Sequence, residues 1–559
     1  MGIFTDYKEY TKYLPDYKPW KDKRNLDEAK KLKYLKQNPV DVQTRARDVQ
    51  RGQVLLNAID IMDEYSQSKA ENMEVMTTQA IAAVAETASY AGMAVGGVLA
   101  AIPPIAKSID KFSAKLTKKI FKKEVKGAFP KLYFAMGVGM IASLATNMIM
   151  QGWAASQQVA ASRRGRFEAM KNELQDVRKF AVLTDEQLAK QAEIAEKMPT
   201  TKAMKKGNLA KKSNLLNPLT SLSMLGEILN PDTEKDEERK LFDDKLNEIP
   251  QIMPKLSEKD ILDAKKDQQL VLNIAEKVDM ASQDYSENTE LVVGALTTTA
   301  LAGGLLTGYL ANTIIKKLKI TNQNAIKYAP LGVGAAVGIA LSILATSIQK
   351  QAARVGRFKA KQELAKNPDN FIYLSQEKAD VIPDNIKVAT KKNPNLFSFT
   401  IQAIKDNFEY KKYLKTEGIK EKKKILALKD IELTEEQFKD AQRLQKNTFK
   451  VFNKIDEKSQ RYAESVEAVG ETINIPIAAF SSLAGLGLGC LYTLKNAKKL
   501  KNNMFPLPMI IGMFVGVLPA IIVNAIFTKK EKEASRVAHM LAMNEMQDYK
   551  KFIDFETTK

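Results

Sequence analysis

The sequence predicts an all-α, polytopic membrane protein: six transmembrane helices arranged as three tandem parallel hairpin repeats, with helical polar domains between them. Three observations predict it. One polar motif recurs three times along the 559 residues. Each copy runs into a pair of apolar spans, and each pair is joined by a Lys-rich turn. The spans are roughly 20 to 25 residues long, the length a helix needs to cross a bilayer.

In chain order, residues 1–79 form an N-terminal polar helical region. Residues 80–154 form the first hairpin, with spans near Ala80–Ala106 and Leu132–Trp153. A helical polar domain fills 155–290. The second hairpin, 291–349, has spans near Leu291–Ile315 and Pro330–Ile348. Residues 350–471 form another helical polar domain. The third hairpin, 472–528, has spans near Thr472–Leu494 and Phe505–Phe527, and 529–559 is an amphipathic tail. Two spans return the chain to the side it left. Both tails and both large polar domains therefore share one face, the turns share the other, and the copies are parallel. Prolines 199, 218, 231, 250, 254, 368, 383 and 394 punctuate the polar domains, with loops expected around Thr200–Asn217 and Ala389–Asn395.

The formal net charge is +20, and its distribution argues against nucleic acid. The turns Lys107–Lys131, Lys316–Tyr328 and Lys495–Met504 carry +7, +4 and +4, which is +15 of the total, whereas Ser156–Glu290 is net −3. Lysines clustered in short turns suit anionic lipid on a cytoplasmic face. The expected partners are thus the lipid bilayer, with anionic lipid at the turns, and other proteins or a second copy; no nucleic acid is expected. The expected location is a bacterial inner membrane or an organelle membrane, with the turns cytoplasmic. That orientation requires a charged N-terminal region to cross without a signal peptide, since Met1–Asp6 has no apolar core. No Asn-X-Ser/Thr acceptor occurs, and Cys490 is the single cysteine, so no disulfide framework forms within one chain.

The inbound motif reads Asp-x-x-Ser-Gln-x-x-small-Glu-x-x-Glu. Its conserved spacing places all these residues on one helical stripe. The acids are Asp63, Glu71 and Glu74, then Asp279, Glu287 and Glu290, then Asp456, Glu464 and Glu467. The outbound motif is Ala-small-Arg-x-small-basic. It supplies Arg163 and Arg166, Arg354 and Arg357, and Arg536 followed by His539. Acid on the way in and base on the way out, on one face of the bilayer, reads as an inter-helix clamp. The alternative is a solute mouth ringed by carboxylates.

Five of the six spans contain Gly-x-x-x-Gly: Gly92/Gly96, Gly304/Gly308, Gly334/Gly338, Gly485/Gly489 and Gly512/Gly516. Glycine pairs let helix backbones approach closely, either for packing or for sliding between conformers. Glu86 is the one acid well inside a span, and an intramembrane acid is a functional candidate unless it reaches solvent.

Catalysis finds little to work with. The chain has no Gly-x-x-x-x-Gly-Lys-Ser/Thr phosphate loop, no Gly-x-Ser-x-Gly elbow and one histidine. No cofactor, metal site or enzyme activity is expected. The sequence therefore points to a non-enzymatic membrane scaffold or anchor presenting helical domains on one face. The alternative is a channel or secondary transporter with a pseudo-threefold pathway lined by the inbound acids and Glu86.

Overall fold

The computed structural model describes residues 3–121, 128–201, 233–247, 257–317, 351–375, 396–496 and 507–553, with isolated positions at 348, 378 and 381. The described fold is all-α. The helices are α1 (Ile3–Gln37), α2 (Val42–Ala101), α3 (Pro103–Phe121), α4 (Ala128–Glu168), α5 (Asp185–Lys197), α6 (Thr233–Asn247), α7 (Glu258–Lys317), α8 (351–366), α9 (Leu396–Lys415), α10 (Glu417–Ala427), α11 (Glu435–Asn496) and α12 (Leu507–Glu545). Short 3-10 turns follow four of them: Val177–Phe180, Pro368–Phe371, Leu428–Asp430 and Tyr549–Phe552.

Three long helices, α2, α7 and α11, organise everything else. They have 60, 60 and 62 residues, about 90 Å each at 1.5 Å per residue. Each begins 21 residues before its motif aspartate: Val42 before Asp63, Glu258 before Asp279, Glu435 before Asp456. A polar residue caps each start. Asp41 accepts from the Thr44 amide at 2.9 Å. Ser257 and Asp260 cap one another, as do Thr434 and Gln437, each side chain accepting the other's backbone N–H. These contacts satisfy donors that a helix start leaves orphaned.

Between cap and motif lies a shared apolar stripe. Leu55, Ala58, Ile59 and Met62 of α2, Val271, Ile274, Ala275 and Val278 of α7, and Val451, Phe452 and Ile455 of α11 are all buried in one core. The three- and four-residue spacing places each set on one face, and the three sets occupy matching positions. Each large side chain so buried stabilises by about 1.5–3 kcal/mol. Helix α1 straps this head. Asp6 pairs with Arg461 of α11 at 2.5 Å, Arg24 with Glu276 of α7 at 2.5 Å, and Lys31 donates to the Asn370 carbonyl at 3.3 Å.

The outbound helices return against the long ones. Helix α4 runs antiparallel to α2, and a Cβ added at Gly92 would lie 2.8 Å from Ala142 Cβ and one at Gly96 2.7 Å from Ala135 Cα. Gly139, on the facing helix, approaches the Ser89 carbonyl just as closely. The side chains around Gly304, Gly308, Gly334, Gly338, Gly489, Gly512 and Gly516, and the span Pro330–Ile348 apart from Ile348 itself, lie outside the described residues; Gly485 is buried.

The first hairpin differs from expectation at its tip. The first span was expected to reach Ala106, with a turn over Lys107–Lys131. Instead α2 ends at Ala101 and α3 leaves it at 93°. Ile102 is the cause. It precedes Pro103, a position that disfavours helical backbone, and it adopts φ −67°, ψ 124°. Pro103 and Pro104 then sit in a first helical turn, where their missing N–H groups cost little. The lysines from 107 to 119 thus stand on a helix. Among the described residues, no single helix is long and apolar enough to cross a membrane; the bent pair Thr87–Ala101 and Pro103–Lys115 meets that test by length and composition.

A Cβ on Gly165 of the first copy would lie 2.5 Å from the Tyr65 carbonyl oxygen, and one on Gly356 of the second 2.8 Å from that of Ala281. Backbone cannot yield as a side-chain tip can. Gly165→Ala is expected to lower stability by about 1–3 kcal/mol, measured by chemical denaturation of the purified chain. Ala538, the corresponding residue of the third copy, already holds its Cβ fully buried.

Candidate functional site

Directly above the last apolar layer, Met62, Val278 and Ile455, stand the three motif aspartates. The outbound helices deliver the bases to them, and they do so across copies. Arg166 of the first copy lies 3.1 Å from its own Asp63 and 3.0 Å from Asp456 of the third. Arg357 of the second copy reaches Asp63 of the first at 3.6 Å and donates to Gln67 at 3.1 Å. His539 of the third copy places Nδ1 2.8 Å from Asp279 of the second. First on third, third on second and second on first: the contacts close into a ring.

A second set of pairs follows the same order. Arg354 bridges Glu64 at 2.8 Å and Glu71 at 2.7 Å, and is itself buried. Arg536 pairs with Asp284 at 2.6 Å. Small residues make room: Ser66 and Ser162 hydroxyls meet at 2.6 Å, and Ser282 donates to the Ala353 carbonyl at 3.3 Å.

The turns after the outbound helices repeat the order again. Gln445 of α11 donates to the Leu174 carbonyl at 2.5 Å, and Gln268 of α7 to the Met546 carbonyl at 2.9 Å. Phe180, Phe371 and Phe552 end the 3-10 turns that follow the three outbound helices, all buried. Phe180 stacks edge-on to Phe449 with ring centres 5.8 Å apart, and Phe371 fills the space over Gly52. Deeper still, Arg51 of α2 pairs with Asp267 of α7 at 2.8 Å and Asp440 of α11 at 3.0 Å, while Arg443 also reaches Asp267 at 2.8 Å.

Burial is the main force on these acids. It pushes the carboxyls of Asp63 and Asp456 above the ordinary range, against the pull of Arg357 on the first and Arg166 on the second. Burial acts against the charge of Arg166 too, but Asp456 and Asp63 outweigh it and raise its affinity for the proton. A cavity of about 30 Å³ lies beside Arg166, lined by Arg163, Arg239, Asp243, Asn453, Asp456 and Glu457. That is room for a water or two among polar partners. A larger cleft of about 170 Å³, between α2, α5 and α10, mixes Gln50, Asn57, Gln191 and Lys424 with Leu183 and Leu428.

Of the motif residues, Asp63, Glu71, Asp279 and Asp456 thus meet Arg166, Arg354, Arg357 and His539, while Glu74 is exposed. The side chains of Glu86, Glu287, Glu290, Glu464 and Glu467 lie outside the described residues. Sequence reasoning placed Gln67 on the motif stripe but did not single out Glu64, Asp284 or the Arg51 network. The caps and the Asp/Asn-x-x-x-Phe turns repeat in the sequence and could have been found. Among the described residues, no group of three or more His, Cys, Asp or Glu side chains is arranged to hold a metal ion. No family model, curated protein or solved structure matches the chain.

Arg166→Ala removes the 3.0 Å pair with Asp456 and leaves Asp63 with Arg357 alone, and is expected to cost about 3–5 kcal/mol in denaturant unfolding. Lys197→Ala, which removes only the exposed pair with Glu193, leaves the transition where it was.

Asp243 gives a pH test. Burial pushes its carboxyl up to about 6, with Arg239 pulling it back. The folded chain therefore holds this proton more tightly than the unfolded chain does. The favourable contribution is complete below about pH 4 and lost as the pH rises through about 6. Asp243→Asn does not titrate, so its stability relative to wild type should rise over that window. With a side chain 24% exposed, the change is on the order of 1 kcal/mol after solvent screening. Denaturation midpoints at pH 4.5 and 7.5 measure it.

Proposed function

We propose that the chain is a non-enzymatic, multi-pass membrane scaffold: three hairpins hold a clamped helical head on one face of a bilayer. The observation that carries this reading is the ring of acid–base contacts between copies. Asp63, Glu71, Asp279 and Asp456 each face an outbound base of a neighbouring copy, which is what a clamp requires. An open solute pathway needs such groups free to exchange water and ions. The ring favours the scaffold reading over the channel reading for that reason.

Other features support the bilayer. The bent pair Thr87–Ala101 and Pro103–Lys115 has the length and composition of a span, and the sequence Leu507–Phe527 contains no Asp, Glu, Lys or Arg over 21 residues. Tyr90, Val95, Val98, Leu132, Ile473 and Ile526 are large apolar residues left exposed within the expected spans. Lipid would cover them, since water-exposed apolar area of this kind is otherwise unfavourable. The joint packing of α1, α7, α11 and α12 supports a common side for both tails. The Lys-rich tips would then face the cytoplasm.

The test is alkaline carbonate extraction with protease treatment of sealed vesicles of both orientations. The expected result is a chain that stays with the lipid, with α1, α5 and α10 cut from one side alone. Release by carbonate, or cleavage of those helices from opposite sides, overturns the proposal.

A further inference from the structure

We propose that α3 is an interfacial arm that lies on the anionic phospholipid headgroups around the tip of the first hairpin. The inference rests on the bilayer reading above and adds to it a binding surface and its ligand. Helix α3 leaves the axis of α2 at 93°, which is the direction of a membrane plane if α2 stands across one. It is 19 residues long, about 28 Å, far longer than a hairpin needs to turn.

Its residues divide by face. Ile105, Ile109, Phe112, Leu116 and Ile120 recur at three- and four-residue spacing and form one apolar stripe. Where it is described the protein covers it only in part: Phe112 is 70% exposed, and Ile105 and Ile109 are half-buried. Lys107, Lys111, Lys115, Lys118 and Lys119 occupy the arc beside it, all exposed, against one acid, half-buried Asp110. Ala114, on the remaining side, is buried.

An apolar stripe left partly open and flanked by lysines is the composition of helices that rest in the headgroup boundary. Charge chooses the lipid: five lysines gain from a negative leaflet surface and little from a zwitterionic one. Continuity chooses a bilayer over a protein partner. The exposed apolar residues Tyr90, Val95 and Val98 lead up α2 to the break, and Leu132 leaves it on α4, so the stripe extends a surface already assigned to lipid.

Spin labelling of the full chain tests this. In a Cys490→Ser background, a nitroxide is attached at Phe112→Cys or, in a separate sample, at Val95→Cys. The chain is reconstituted in phosphatidylcholine vesicles with or without phosphatidylglycerol. The expected result is that the label at 112 loses nickel-chelate accessibility while keeping oxygen accessibility when phosphatidylglycerol is present. Replacing the five lysines by Gln restores the nickel accessibility at 112 and leaves 95 shielded. A label at 112 open to nickel in both lipids while 95 is shielded overturns the arm and leaves the hairpin standing. Shielding at 112 that ignores phosphatidylglycerol overturns the anionic-lipid assignment. Labels open at both positions overturn the bilayer reading and the arm with it.

Discussion

A buried carboxylate needs a partner, and that need fixes how the three copies stand. Each long helix ends its apolar stripe in an aspartate directly above a layer of Met, Val or Ile. An uncompensated charge there costs several kcal/mol. The compensating bases come on helices that turn back, and those helices settle where they can also serve the next copy. Arg166 shows the logic most plainly, since it holds Asp63 and Asp456 at once. Ion pairing does not drive the collapse; the apolar layers do. It decides which neighbour each returning helix chooses, and so gives the ring its direction.

Small residues are the geometric condition for that choice. A guanidinium reaches across to the next helix only if the backbones approach, and Gly165 and Gly356 sit one residue before Arg166 and Arg357 with Cβ space already filled by carbonyls. The third copy departs from the pattern at both positions, with Ala538 and His539. It has other support. Arg536 reaches Asp284, and α1 lays Tyr10 into a core with Tyr462, Val537 and Met540. The copy with the shorter base thus receives an extra packed helix.

Much of this was legible. The Asp-x-x-Ser-Gln spacing declares one helical face, and the Arg-led return motif declares a basic partner. The direction of pairing was not legible, because Asp63 and Asp456 are identical in sequence terms and only the packing of the helices brings both to Arg166. The core stripe was readable in principle. Leu55, Ala58, Ile59 and Met62 have helical spacing, but charged neighbours such as Arg51 and Asp60 hide it in any window average. The bend after Ala101 was readable too, in Ile102-Pro103-Pro104, and was lost because the apolar run continues through it.

The same contacts bear on whether the glycines permit sliding. Moving one helix along another by a single residue shifts it 1.5 Å. With Gly96 already within 2.7 Å of Ala135 Cα at the Cβ position, such a shift would drive Ala135, Val138 or Met93 into facing backbone. At the head, a shift of that size would part Arg166 from one of its two aspartates, leaving a buried charge exposed to nothing. A ring has no free edge at which to begin, so one clamp cannot slip without straining the next. Close glycines at one end and the ring of acid–base contacts at the other both resist the same motion, and the arrangement favours a stiff pillar over a gate.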